Sequence, residues 1–187
     1  MFFRKILLGL IFSIFLLGST HAENNLIIEV EGEANGRIEI TLLSDLAPLH
    51  VERIKTLVNS GSYNGIVFHR VIEGFTAQTG DVQFGNKLAL QTDLVGRGGS
   101  SMPDLPSEFS DMPFIEGTVG MARSQDPNSA NSQFFIMLED SMHLNNQYTV
   151  WGKVLKGMDV VDNIKKGDQL DNGKVDNPDF IKTIKNV

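Results

Sequence analysis

The sequence contains no cysteine among its 187 residues. A chain without thiols has no disulfide framework, no cysteine nucleophile and no cysteine to which a lipid could be attached. Packing and hydrogen bonding must therefore hold the fold together. The length suits one domain with a substantial core, and no internal repeat or linker divides the chain.

Familiar catalytic motifs are also missing. The four histidines, His21, His50, His69 and His143, form no H-E-x-x-H pattern or other close metal-ligand spacing. There is no G-x-S-x-G motif for a serine nucleophile. These absences predict a protein without a metal or a cofactor. They leave arginine, glutamine and aromatic side chains, which can bind and polarise an amide without proton transfer.

An excess of basic residues is absent as well. The chain has 16 Lys and Arg against 23 Asp and Glu, which gives a formal net charge of −7. Nucleic acid and anionic membrane surfaces both favour basic proteins. The sequence therefore predicts that neither is the main partner.

The first 22 residues have the pattern of a secretory signal peptide. Arg4 and Lys5 precede an apolar run from Ile6 to Leu17, and Ala22 offers a small residue at the expected cleavage site. The run is shorter than the ~20 residues that span a bilayer, which favours cleavage over a permanent anchor. The sequence thus predicts a signal peptide, 1–22, and one domain, 23–187, with no stable membrane association after cleavage.

The rest of the chain has short apolar segments separated by turn residues, which indicates a mainly β protein. Strands are predicted at 26–30, 37–43, 117–122, 134–138, 149–154 and 180–187, and helices at 47–60 and 158–166. Residues 84–111 show little periodicity and are predicted to form a long ordered loop.

The stretch FHRVIEGFTAQTGD, residues 68–81, places a cation among apolar side chains. If the stretch alternates as a strand, Arg70 lies on the same face as Phe68. Two interpretations follow. Arg70 either pairs with an acid such as Asp81 or Glu108, or it stands at the edge of an apolar pocket, ready for a ligand carbonyl.

Four sequence blocks carry a more specific pattern. They are residues 68–81, Met121–Ser124 (MARS), Asn131–Ile136 (NSQFFI) and Val150–Met158 (VWGKVLKGM). In their order and spacing they resemble the cyclophilin family of peptidyl-prolyl cis-trans isomerases, and the likeness runs from about Leu26 to the C-terminus. The resemblance implies a mainly β fold, a closed eight-stranded antiparallel β-barrel capped by two α-helices.

Carried over by position, the resemblance implies a site around Arg70, which corresponds to the family's catalytic arginine. Its hydrogen bond to the prolyl nitrogen would favour the twisted amide over the planar ground state. The resemblance implies that substrate is bound by Phe68, Phe75, Thr76, Gln78, Ala122, Arg123, Ser124, Gln133, Phe135, His143, Leu144 and Tyr148.

Four of these positions depart from the best-known members of the family. Thr76 stands where many members have methionine, which makes that part of the proline pocket smaller and more polar. Arg123 replaces an asparagine whose backbone holds the peptide, and Tyr148 replaces a histidine. His143 stands in place of a tryptophan that helps to bind cyclosporin, which implies weak sensitivity to that drug.

The Met-Ala-Arg sequence and the loop 124–132 resemble the bacterial branch of the family. With the signal peptide, this implies a periplasmic enzyme acting on proline-containing peptides and unfolded exported polypeptides. A monomer is expected, because the sequence has no heptad pattern or long apolar stripe that would demand association. Two other functions remain open: a chaperone module that binds such segments with little turnover, and a structural protein that interacts through the loop 96–111 or through its acidic surface. The presence of Arg70 together with Gln78 favours catalysis, because a passive apolar groove has no need of a cation.

Overall fold

The structure, a computed structural model, describes residues 24–187. The predicted signal peptide and its cleavage point lie outside the described residues. The helices and strands are β1 (Asn25–Glu31), β2 (Gly36–Leu42), α1 (Pro48–Asn59), β3 (Arg70–Ile72), β4 (Thr76–Thr79), β5 (Thr118–Met121), β6 (Phe134–Met137), β7 (Val150–Lys156), α2 (Met158–Asn163) and β8 (Phe180–Asn186). Each predicted strand and helix is confirmed to within a few residues. Within residues 24–187, no helix is long and apolar enough to cross a membrane.

All eight strands belong to one antiparallel sheet, in the order β3-β4-β6-β5-β7-β2-β1-β8. The sheet curls around an apolar core in which Trp151 and Phe134 meet edge-on, with ring centroids 5.4 Å apart. The ring of Tyr63 packs edge-on against Phe134 at 5.6 Å. Helix α1 packs against β7 and β8, and α2 packs against β2. Both helices therefore contribute apolar side chains to the same core.

The sheet is curled but does not close, so the expectation of a closed barrel is wrong. Among the described residues β3 and β8 share no ladder and stand at the two ends of the strand order. The loop 167–175 occupies the free edge of β3, where the Val71 amide donates to the Gly173 carbonyl at 2.8 Å. The start of β8 bonds instead to residues before β3, through the Ile181 amide and the Ile66 carbonyl at 2.8 Å. Irregular segments thus separate the two edge strands.

The stretch 68–81 forms two short strands rather than one. β3 and β4 pair so that Arg70 lies opposite Gln78 and Val71 lies opposite Ala77. Because regular strand geometry begins only at Arg70, the alternation does not extend back to Phe68. The Phe68 side chain is fully buried in the main core, together with Val71. The predicted sharing of one face by Phe68 and Arg70 is therefore wrong.

Asp81 organises the loop that follows β4. Its carboxylate is fully buried, and Oδ1 accepts hydrogen bonds from the amides of Gln83 and Phe84 at 3.1 and 2.9 Å. Oδ2 accepts from the amides of Gly96 and Gly98 at 2.7 and 3.0 Å. Bonds from backbone amides to a carboxylate are among the stronger hydrogen bonds in proteins. One side chain thus ties the start of the long loop to residues 96–98.

Glu108 caps helix α1 from a distant loop. Ala47, at the N-cap, has no side chain that could cap the helix, and Pro48 lacks an amide hydrogen. Glu108 accepts from the amides of Leu49 and His50 at 3.1 and 3.0 Å, and its Oε2 lies 2.6 Å from Nδ1 of His50. A carboxylate is favourable at this positive end of a helix. Glu108 therefore stabilises the start of helix α1 and is not the partner of Arg70.

Candidate active site

Two rows of side chains cross the strands β3, β4, β6 and β5. Residues directly opposite one another on antiparallel strands share a face of the sheet. The ladders therefore put Arg70, Gln78, Phe135 and Gly120 in one row. The neighbouring row, one residue along each strand, faces the main core and consists of Val71, Ala77, Ile136 and Val119. Arg70 thus stands on the outer face, away from the main core.

Arg70 is half-buried, and the atoms that accept its hydrogen bonds carry no net charge. Nη1 donates to Oε1 of Gln78 at 3.2 Å, Nε to the backbone carbonyl of Asn172 at 3.1 Å, and Nη2 to Oδ1 of Asn172 at 3.1 Å. Among the described residues it forms no salt bridge, since Asp81 and Glu108 are engaged elsewhere. The first interpretation of Arg70, a pairing with one of these acids, is therefore wrong. Burial lowers the pKa of Arg70 from its ordinary value, but a guanidinium remains charged in proteins.

A chain of amide hydrogen bonds leads from the loop to Arg70. Nε2 of Gln133 donates to the carbonyl of Gly98 at 2.8 Å, and Nε2 of Gln78 donates to Oε1 of Gln133 at 3.0 Å. The two ends fix the direction of both amides, because the Gly98 carbonyl only accepts and the Arg70 guanidinium only donates. Rotating either side-chain amide by about 180° would place a donor against a donor and an acceptor against an acceptor. The oxygen of Gln78 is therefore held towards the guanidinium.

A cavity of about 290 Å³, with a mixed polar and apolar lining, lies beside this row. Its volume is at the lower end of the range of small-molecule pockets. It is lined by Arg70, Phe75, Thr76, Gln78, Ala122, Arg123, Phe135, Leu144 and Tyr148. The arrangement places a cation and an amide at one wall of a pocket that can accept a small ring.

Aromatic packing fixes the wall of the cavity around Phe135. Its ring stacks on Phe114 at 5.7 Å and meets Tyr148 edge-on at 5.6 Å. Gly120 leaves room for this arrangement, because a Cβ there would come within 2.6 Å of Phe135 Cζ and 2.7 Å of Phe114 Cε1. Ring pairs in these geometries are favourable beyond simple burial. The wall is thus rigid before any ligand binds.

Arg123 lines both this cavity and a second, larger cavity. Its guanidinium lies 4.6 Å from the centre of the Tyr148 ring and donates from Nε to the Gln147 carbonyl at 2.9 Å. The larger cavity, of about 540 Å³, shares Gln78, Ala122 and Arg123 with the smaller one. Ser124 and Gln133 also line it. The two cavities form a continuous groove past Arg70.

Eleven of the thirteen residues named from the sequence line these two cavities. The other two lie elsewhere: exposed His143 stacks on Phe75 with ring centroids 6.1 Å apart, and Phe68 is in the core. Sequence reasoning missed Asn172, whose contact with Arg70 spans 102 positions. Asn172-Gly173 is a turn signal, but nothing in it indicates a partner so far away. Within residues 24–187, no three metal-ligating side chains come together.

These observations define the class of protein. A curled antiparallel sheet with two helices carries, on its outer face, a groove in which aromatic side chains and an unneutralised arginine line the same small cavity.

Comparison with known proteins identifies the family. The profile of the family described as cyclophilin type peptidyl-prolyl cis-trans isomerase/CLD matches residues 26–186, and the chain belongs to this family. The predicted isomerase is thereby confirmed. A probable peptidyl-prolyl cis-trans isomerase of Brucella suis is 59% identical over 160 residues, which cover 85% of this chain and 80% of that protein. A peptidyl-prolyl cis-trans isomerase of Acinetobacter baylyi is 37% identical over 154 residues, covering 80% and 77%.

Solved structures agree with this assignment. A cyclophilin from Hirschia baltica matches with a TM-score of 0.72 and 27% identity, covering 88% of this chain and 74% of that one. A cyclophilin type peptidyl-prolyl cis-trans isomerase from Cryptosporidium parvum matches with a TM-score of 0.73 and 26% identity, covering 87% and 98%. The latter was crystallised in the presence of the dipeptide Ala-Pro.

Proposed function

We propose that the smaller cavity binds the proline ring of an X-Pro peptide against its aromatic side chains and that Arg70 catalyses rotation about the preceding amide bond. The barrier to this rotation, ~18–20 kcal/mol, arises because the nitrogen lone pair is delocalised into the carbonyl. The lone pair becomes localised on nitrogen as the bond twists. A donor aimed at that nitrogen therefore stabilises the transition state more than the planar ground state.

The observation that carries this proposal is the neutral surroundings of Arg70. Charged side chains are almost never fully buried unless they are paired, and the half-buried Arg70 stands at the wall of a cavity. Here Gln78 and Asn172 hold the guanidinium without neutralising it. Three of its N–H groups are used, so of the five in a guanidinium two remain for a ligand. The cation is therefore held in place with donors to spare.

The contribution of Arg70 can be estimated. A hydrogen bond from a charged donor is worth roughly 1.5–3 kcal/mol, which corresponds to about one to two powers of ten in rate. The rest of the acceleration falls to the cavity. Phe135 and its neighbours hold the proline ring while the residue before it rotates about the amide bond. Binding energy then offsets part of the barrier.

The test compares the wild type with Arg70→Ala and with Arg37→Ala, an exposed arginine on β2 that serves as a matched control. Isomerisation of a short X-Pro peptide is measured by NMR exchange. We expect kcat/KM to fall at least about tenfold in Arg70→Ala, with little change in peptide affinity and no effect of Arg37→Ala.

Three outcomes would contradict the proposal. Full activity of Arg70→Ala would exclude catalysis through this residue. An equal loss of affinity and rate would make Arg70 a binding residue. A wild type that binds the peptide without accelerating exchange would favour the chaperone function over the isomerase.

The proposal extends to the place of action. The pattern of residues 1–22 supports export, and exported unfolded polypeptides are the proposed substrates, with the mature protein acting as a periplasmic monomer. Cell fractionation and N-terminal sequencing in a Gram-negative host should recover a protein that begins at Glu23 in the periplasmic extract. An intact N-terminus in the cytoplasm would contradict export, and a dimer in sedimentation equilibrium would contradict the monomer.

A further inference from the structure

The loop before β8 contributes a residue that no sequence motif connects with the site. Asn172 follows the short 3₁₀ turn Gln169–Asp171 and has left-handed backbone angles, with φ 51° and ψ 33°. We infer that Asn172 is a positioning residue for catalysis, which orients the Arg70 guanidinium towards the bound peptide. This inference rests on the catalytic role proposed for Arg70.

Two oxygens of Asn172 accept hydrogen bonds along one edge of the guanidinium. Its backbone carbonyl accepts from Nε of Arg70 at 3.1 Å, and its side-chain Oδ1 accepts from Nη2 at 3.1 Å. On another edge, Gln78 accepts from Nη1 at 3.2 Å. Because a guanidinium is planar and rigid, contacts on two edges fix both its position and its plane. Without the Oδ1 contact, the tip would retain freedom to rotate away from the cavity.

The loop is itself fastened to the strand that carries Arg70. The Val71 amide donates to the Gly173 carbonyl at 2.8 Å, and the Gly167 amide donates to the Val71 carbonyl at 2.9 Å. The Val175 amide donates to the His69 carbonyl at 3.1 Å. These bonds lie on either side of Arg70 along the chain. The distance from Asn172 to Arg70 is therefore set by backbone geometry, not by a mobile surface contact.

The residue types fit this role. Gly173 has φ 77°, and a Cβ there would overlap Ile72 and the Val71 carbonyl, so the close approach of the loop to β3 requires glycine. Asparagine is one of the few residues that adopt the left-handed conformation readily. It also offers an acceptor without charge, which leaves the guanidinium charge free for the substrate, whereas an aspartate would compensate it.

The test isolates the side-chain oxygen. Asn172→Gly keeps the left-handed conformation and the backbone carbonyl but removes Oδ1. Asn177→Gly is the matched control, because Asn177 has φ 49° and no contact with Arg70. We expect Asn172→Gly to lower kcat about three- to tenfold with KM changed less than about twofold, and Asn177→Gly to leave both near the wild-type values.

A double-mutant cycle shows whether Asn172 acts through Arg70. In the Arg70→Ala background, Asn172→Gly should cause no further loss, since the group that it positions is absent. A further loss of the same size in that background would overturn the inference, as would wild-type kinetics of Asn172→Gly. If Arg70→Ala alone keeps full activity, the proposed function itself fails, which is a different result from either of these.

Discussion

Gln78 lies directly opposite Arg70 across the β3–β4 ladder, and its Oε1 is 3.2 Å from Nη1 of the guanidinium. The amide nitrogen of Gln78 points the other way, to Gln133, whose own amide is fixed by the Gly98 carbonyl. The orientation of the Arg70 guanidinium therefore depends on a backbone carbonyl to which it is linked through two glutamine side chains.

Gln78→Glu should damage catalysis although the change is nearly isosteric. A carboxylate has no N–H to donate to Gln133, and it pairs with Arg70, which compensates the charge needed in the transition state. We expect kcat/KM to fall by about tenfold or more. NMR exchange on an X-Pro peptide provides the measurement. Gln83→Glu, the same change at an exposed residue, should have no effect, and wild-type activity of Gln78→Glu would refute the role of the amide chain.

Gly120→Ala should disturb the cavity without adding any polar group. The new methyl group would overlap the rings of Phe135 and Phe114, and overpacking of this kind costs about 1–3 kcal/mol of stability. The shifted Phe135 ring should raise KM for the peptide. Urea unfolding and steady-state kinetics measure the two effects. In the Phe135→Leu background, Gly120→Ala should cost less stability, because the smaller side chain leaves room for the methyl group. If the two losses of stability were simply additive, the overlap with Phe135 would not be their cause.

Asp81→Asn should loosen the loop that ends in Gly98. The amide of asparagine has one accepting oxygen in place of two, and its NH₂ group would face backbone N–H donors. We expect a loss of about 3 kcal/mol in stability. Hydrogen exchange should accelerate at the amides of Gly96 and Gly98, and activity should fall through the broken link to Gln133. Asp93→Asn, an exposed acid in the same loop, is the control, and unchanged protection at both glycines would contradict this role for Asp81.

The parts of the fold that could be predicted are those governed by local patterns. Strand and helix positions followed from hydrophobic periodicity and turn residues, and most of the groove residues followed from the resemblance to a family. Phe68 was misplaced because alternation was assumed to start before the strand does. The closed barrel was wrong because the loop 167–175, which has no strand pattern, takes the edge of β3. Asn172, which lies in this loop, was missed because its role depends on a tertiary contact with Arg70 that no local pattern indicates.

His69 should make the stability of the protein depend on pH. His69 is only 7% exposed, so its ring is largely removed from water. Burial lowers the pKa of His69 to about 4, an effect that the nearby Asp81 charge opposes. In the unfolded chain the histidine pKa is about 6.5. Between these values the unfolded state binds a proton that the folded state does not, so stability falls as the pH falls.

A lowering of roughly 2.5 pKa units corresponds to about 3 kcal/mol between pH 7 and pH 4. Burial also lowers the pKa of His50, which contributes in the same direction. The contribution of His69 is therefore the difference between the wild type and His69→Phe, which keeps a ring but cannot bind a proton. Urea unfolding at several pH values should show a weaker pH dependence for His69→Phe, whereas the exposed His143→Gln should retain the wild-type dependence. If His69→Phe retained it too, His69 would have to bind its proton at about the same pH in the folded and unfolded states, and the acid sensitivity would belong to other groups.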